Sequence, residues 1–245
     1  MKIFSWFAIP IYETSLSPPK QVEREMLFYM REYDKNVYSL EKNKDKKNIT
    51  GDTDGNADIA NLKEFSWLVE EVSKGAKEYL EDLNVDMDNI DLFVQKSWPV
   101  VCATDGGYVS THRHLNSHLS CVYYIQKDDS NEAGGALRFW MPENHPLCTL
   151  PVKYKNGYRS DLSTNFIDYN FSKNMLIIFP SMVKHEVKDY FSDIPRYSVS
   201  FDISICSKID KVLNDEMVCA NPSRWKKIKK LIIWKKFTIG LGTIF

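Results

Sequence analysis

The chain has 245 residues, with 32 Lys plus Arg against 33 Asp plus Glu, a formal net charge of -1 and 43% hydrophobic residues. That is enough chain for one large domain or two small ones around a sizeable core, and the composition excludes a disordered chain, a collagen-like repeat and a disulfide miniprotein. A balance so near zero also excludes a broadly basic nucleic-acid binder, but the total hides an asymmetry. Residues 224–245 hold Arg224, Lys226, Lys227, Lys229, Lys230, Lys235 and Lys236 and no acid, so residues 1–223 keep 25 basic residues against 33 acidic ones, a net charge of -8.

The five cysteines, Cys102, Cys121, Cys148, Cys206 and Cys219, are odd in number, widely spaced and free of any CxxC pair. That usage suits buried, inert, reduced thiols in a cytoplasm. The opening MKIFSWFAIPIY is interrupted by Pro10 and lacks a small-residue cleavage site, which argues against a signal peptide. No run reaches the ~18–20 apolar residues of a membrane span.

In chain order, Ile3 to Tyr12 is rich in aromatic and β-branched residues and predicts a strand. Ser17-Pro18-Pro19 then starts a helix whose apolar positions Val22, Met26, Leu27 and Met30 run to about Tyr33. Leu40 to Ala57 is charged and rich in Gly and Asn, which predicts an exposed loop. From Leu62 to Leu83 one apolar face persists for more than five turns, the pattern of a helix laid on a sheet. After Asn84 come short apolar runs separated by Gly, Pro and Asn: Leu92–Val101, Tyr108–His114, Leu119–Ile125, Ala136–Trp140, Met175–Phe179 and Tyr197–Ile205. Two helices before about eight strands predict a mainly β fold with flanking helices, a sandwich or jelly roll over residues 1–223. The segment 224–245 reads as a basic amphipathic tail, with Trp225, Ile228, Leu231 and Ile232 as its apolar stripe. Such a helix packs on its own domain or contacts an anionic membrane, a nucleic acid or an acidic partner.

Only five histidines exist, and His112, His114 and His118 fall within seven residues. His112 and His114, two apart in a strand, share a face and can converge on a metal, as bond lengths of ~2.0–2.1 Å require. His185 is the best third ligand, near the end of the apolar strand in MLIIFPSMVKHEV, just after the turn residues Pro180 and Ser181. His118 would join them only if the strand continued, and Leu115-Asn116-Ser117 looks like a turn. An incidental HxH pair on an exposed strand face accounts equally well for the spacing alone. Eleven residues beyond His185, the alternation in PRYSVSFDISI puts Arg196, Ser198 and Ser200 on one face. An inward Arg needs an anion, either a ligand carboxylate or a structural Asp or Glu.

The order of HRH at 112–114, SHLSCVYYIQKDD at 117–129, AGGALRF at 133–139, NMLIIFPSMVKHEV at 174–187 and RYSVSFDI at 196–203 resembles the iron(II)- and 2-oxoglutarate-dependent dioxygenases, close to their prolyl-hydroxylase-like branch. The resemblance covers about Trp98 to Ile205; the opening FAIPIYETSL and the SW…GG…H.H.NS layout also resemble a subgroup found in marine bacteria and phages. It implies a double-stranded β-helix of the jelly-roll or cupin-like kind, Fe(II) and 2-oxoglutarate as cofactor and cosubstrate, and hydroxylation with release of succinate and CO2. The compartment would be the cytoplasm, the host's if the chain is phage-encoded. Carried over residue by residue, His112 and His185 are iron ligands. Arg196, assisted by Ser198, pairs with the far carboxylate of 2-oxoglutarate, and Tyr124 donates its phenol there. The departure is His114, which stands where the family carries the Asp or Glu of HxD or HxE. Either His114 ligates as a neutral third ligand or the site has two histidines and an open position.

Two further readings stay open: a three-histidine metalloenzyme that does not use 2-oxoglutarate, and a catalytically silent β-helix binding module. Trp98, Tyr123 and Trp140 are candidates to line a pocket, and the long connection Met141–Asn174 is a candidate substrate lid. The substrate class implied by the resemblance is a small molecule or a protein side chain. Oligomeric state is not legible.

Overall fold

The structure is a computed structural model that describes residues 9–141, 165–210 and 218–227. Among the described residues ten strands form two sheets. The larger contains β1 (Tyr12–Ser15), β2 (Asn48–Thr50), β3 (Ile90–Cys102), β5 (Leu119–Gln126), β8 (Met175–Pro180) and β10 (Arg196–Ser207), in the order β1-β8-β5-β10-β3-β2. The smaller contains β4 (Asp105–His112), β6 (Leu137–Trp140), β7 (Phe166–Tyr169) and β9 (His185–Phe191), in the order β4-β9-β6-β7. From β3 to β6 and again from β7 to β10 consecutive strands alternate between the sheets, and every pairing within them is antiparallel. This is the expected mainly β, double-stranded β-helix core with flanking helices.

The larger sheet is buried on both faces, which explains why β8 and β10 lack a polar stripe for solvent. Its outer side packs on α1 (Lys20–Tyr38) and α3 (Ser66–Asp82): Met26, Met30, Leu68, Val72 and Ala76 meet Leu176, Ile178, Val199 and Phe201 in one cluster. The Tyr197 hydroxyl donates to Asp34 Oδ2 at 2.6 Å and the Tyr12 hydroxyl to Glu78 Oε2 at 2.7 Å, tying both helices to the sheet. The inner side, with Trp98, Val100, Tyr124, Ile177 and Phe179, faces Leu137, Phe139, Val187 and Tyr190 of the smaller sheet. Gly134 and Gly135 enter β6 at φ +67° and +68°, and a Cβ on Gly135 would lie 2.8 Å from the Tyr190 ring, so this turn needs glycine for both conformation and space. Because Leu68 is fully buried between α3 and the sheet, Leu68→Ala is expected to cost about 2–5 kcal/mol, read as a lower urea midpoint at unchanged slope.

Several elements differ from expectation. The first strand begins at Tyr12 among the described residues, and residues 1–8 lie outside them. Helix α1 continues to Tyr38 because Val37 extends the buried stripe. Helix α3 starts at Ser66, after two tight turns at Ile59–Asn61 and Lys63–Phe65. The segment Leu40–Ala57 is not a simple loop: Ile49 is buried and pairs with Val101, making β2 an edge strand, and the short helix α2 (Gly51–Asp54) follows. One apolar residue sufficed because β3 supplied a ready edge. β4 ends at His112, so His114 lies past the strand, where its N–H donates to the Ser181 carbonyl at 2.9 Å. β8 ends at Pro180, and His185 opens the next strand. Of the candidate lid, residues 142–164 lie outside the described residues, while Phe166–Tyr169 pairs with β6.

Cys102, Cys121 and Cys206 are buried, whereas Cys219, joined to Cys206 by an isolated β-bridge, is exposed, contrary to expectation; Cys148 lies outside the described residues. At the expected amphipathic tail, Pro222–Arg224 form a tight turn and Trp225 is extended and 59% exposed. Residues 228–245 lie outside the described residues. No helix among the described residues is long and apolar enough to cross a membrane.

Candidate metal centre and carboxylate pocket

His112 and His185 are directly opposite each other across the β4–β9 pair, and side chains so placed meet on one face. Their ring centroids are 4.3 Å apart; His114 lies 5.1 Å from His112 and 5.3 Å from His185. One ligand atom from each of the three lies within 4.8 Å of the others, a group able to hold a metal ion. His118 is not in it: its Nδ1 accepts the Ile205 N–H at 3.0 Å. Three of the four histidines weighed as ligands in the sequence are therefore brought together.

Each ring in the group has its Nδ1 engaged. His112 Nδ1 lies 2.7 Å from the Ser110 carbonyl, His185 Nδ1 lies 2.8 Å from the Val183 carbonyl, and His114 Nδ1 lies 2.7 Å from Asp202 Oδ1. With an acceptor in each case, Nδ1 carries the proton and Nε2 keeps its lone pair for a metal. Burial, with the neighbouring His112 second, pulls His185 down to about 3, and burial also lowers His112. Both imidazoles are thus held neutral, the ligating form. Trp98 stacks on His114 at 5.6 Å and Phe179 meets His185 edge-on at 4.8 Å, limiting ring rotation.

The group opens on a cavity of about 370 Å³, within the range of small-molecule sites. The inner face of β10 lines it with Arg196, Ser198 and Ser200, and β5 adds Tyr124 and Ser120. Arg196 is 1% exposed. Its guanidinium lies 4.8 Å from the Tyr124 ring centroid, its Nη1 donates to Cys102 Sγ at 3.3 Å, and no carboxylate pairs with it among the described residues. Arg196 Nε and the Tyr124 hydroxyl are both buried without a hydrogen-bond partner. Burial raises the Tyr124 phenol, so it retains a proton to donate. The unpaired Nε of this buried guanidinium and the unpaired Tyr124 hydroxyl beside it fit an incoming carboxylate, and among the described residues this Arg meets no structural Asp or Glu.

Trp98 lines the cavity as expected, but Tyr123 and Trp140 do not. Tyr123 is on the helix-facing side of β5, where its hydroxyl donates to Asn174 Oδ1 at 2.9 Å, and Trp140 packs against Phe166 at 5.5 Å. Sequence reasoning missed Asp202 and the polar wall of Asn48, Thr50, Asp52 and Thr53 from the supposed loop. For Asp202 a signal existed, since the alternation Arg196, Ser198, Ser200 continues to it in the next step.

This fold sets three convergent imidazoles, able to hold a metal ion, beside a buried arginine ready for an anion. Residues 96–202 match the model of the family described as "Putative 2OG-Fe(II) oxygenase", an oxidoreductase group whose chemistry implies Fe(II) and 2-oxoglutarate. No curated protein matches the chain in sequence. Among solved structures it is similar to a prolyl-4-hydroxylase from Pseudomonas putida (TM-score 0.50, 13% identity, covering 79% of this chain and 92% of that one). It is also similar to a prolyl hydroxylase from Trichoplax adhaerens in complex with a hypoxia inducible factor peptide fragment (TM-score 0.51, 13% identity, 79% and 82%). A third is HygX from Streptomyces hygroscopicus, with nickel and 2-oxoglutarate bound (TM-score 0.50, 10% identity, 80% and 82%). At these identities the likeness shows the double-stranded β-helix fold.

Proposed function

We propose that the protein is an Fe(II)- and 2-oxoglutarate-dependent dioxygenase that hydroxylates a small molecule or a protein side chain, with release of succinate and CO2. The observation that carries this reading is the convergence of His112, His114 and His185 with every Nδ1 engaged by an acceptor, which leaves the lone pair on Nε2. These three residues hold the metal, with His114 as the third, neutral ligand. Arg196 takes the far carboxylate of 2-oxoglutarate through its planar fork, Ser198 lies two residues along the same face, and Tyr124 donates its phenolic hydrogen to the same group. When bound, iron with its cosubstrate supplies the oxidising chemistry. The protein positions the reactants and excludes water: Trp98, Phe179, Val100 and Leu137 wall the cavity, so charges inside it meet little competition from solvent.

The three-histidine set also favours a second reading, a metalloenzyme that does not use 2-oxoglutarate, since three imidazoles without a carboxylate are a catalytic zinc set. The unpaired donors of Arg196 and Tyr124 support the first reading over it. Anaerobic titration of the protein with Fe(II) and then 2-oxoglutarate is expected to develop a weak visible charge-transfer band, and admission of air to yield succinate. Metal binding with neither band nor succinate would move the assignment to the second reading, and no metal binding at all to a silent module.

A further inference from the structure

We infer that Asp202 is a positioning residue of the metal centre, holding behind His114 the negative charge that an HxD or HxE site carries on the metal itself. The inference rests on the metal reading above. His112 and His185 present their Nδ1 protons to neutral backbone carbonyls, whereas His114, at the position where a carboxylate is usual, presents its proton to a carboxylate oxygen 2.7 Å away. The anion is displaced outward by the width of one imidazole.

The local structure is built for this. Asp202 follows Arg196, Ser198 and Ser200 in the alternation of β10, so one strand carries both the arginine that lines the pocket and the carboxylate behind His114. A register shift between Asp202 and Ile203 interrupts the β10–β3 ladder at this point, while the pairing with β5 runs through it. Ser120, directly opposite on β5, donates its hydroxyl to Oδ1 at 3.1 Å. Asp202 is 1% exposed, its Oδ2 has no hydrogen-bond partner, and no Lys or Arg pairs with it among the described residues. A buried carboxylate with so few partners is costly unless a cation lies near. A divalent metal on His114 Nε2 provides one across the ring, and the carboxylate in turn makes that imidazole a stronger donor and fixes its tautomer.

The test uses the purified full-length protein under anaerobic conditions with Co(II) as the probe, following both affinity and visible ligand-field bands. Asp202→Asn keeps the shape and an acceptor oxygen but removes the charge. It is expected to bind Co(II) about 10–100-fold more weakly, with shifted bands and an unchanged fold by circular dichroism. The double variant His114→Asp, Asp202→Asn, which returns a carboxylate to the metal, is expected to recover most of the lost affinity. Wild-type affinity and bands in Asp202→Asn would overturn the inference and leave the metal reading standing; a wild type that binds no Co(II) would overturn both. Should the variant fail to fold, zinc-loaded wild type labelled with nitrogen-15 histidine decides. A His114 Nδ1–H proton shifted well downfield of those of His112 and His185 supports a carboxylate acceptor, and three equivalent shifts overturn it.

Discussion

His185→Ala is expected to abolish tight metal binding and, with it, succinate formation. His185 is 5% exposed and directly opposite His112 across the β4–β9 pair, so no other side chain can replace it without moving a strand. The loss should exceed the about 100-fold that removing an outer partner of a metal ligand costs, because the bond to the metal itself goes. Isothermal titration of the apo protein with Co(II) checks this, and the melting temperature without metal shows that the fold persists. Retained high-affinity binding would mean that the metal is held by only two of the three histidines, or elsewhere.

Arg196→Ala is expected to leave metal binding intact while weakening 2-oxoglutarate by about 2–5 kcal/mol, about 30- to 5000-fold, the range for truncating one side of a buried charge pair. On the proposed reading the effect should appear in KM for 2-oxoglutarate, because the guanidinium would grip the end of the cosubstrate away from the reacting atoms. Arg196→Lys should recover part of the charge but not the two-pronged geometry, and fall between. Burial makes the effect large: Arg196 is 1% exposed, so the partner left behind faces a low-dielectric setting rather than bulk solvent. Unchanged turnover with bound metal would exclude the 2-oxoglutarate reading and leave the three-histidine metalloenzyme.

Much of this was legible along the chain because the relevant periodicities are local. The helix stripes at Met26, Met30, Leu68, Val72 and Ala76 and the alternation of Arg196, Ser198 and Ser200 were each visible within a few residues. Where both faces of a strand are buried, periodicity fails. Tyr123 and Tyr124 are equally apolar neighbours in β5, and only the packing of helices on one side and the small sheet on the other decides that Tyr124 faces the cavity. The supposed loop at Leu40–Ala57 misled for a related reason, since β2 is held by the backbone edge of β3 more than by its own composition.

By itself, the sequence determined the class of fold, the histidines and the arginine, because HRH, the later His and the RYS run appear in a spacing that local chain geometry constrains. Only the tertiary structure decided how they work together. His112 meets His185 through a pairing that spans 73 residues, and His114 meets Asp202 across 88. Contacts at such separations depend on strand register and on which face each sheet buries, quantities set by the packing of the whole domain. That packing is also what placed the carboxylate behind the third histidine.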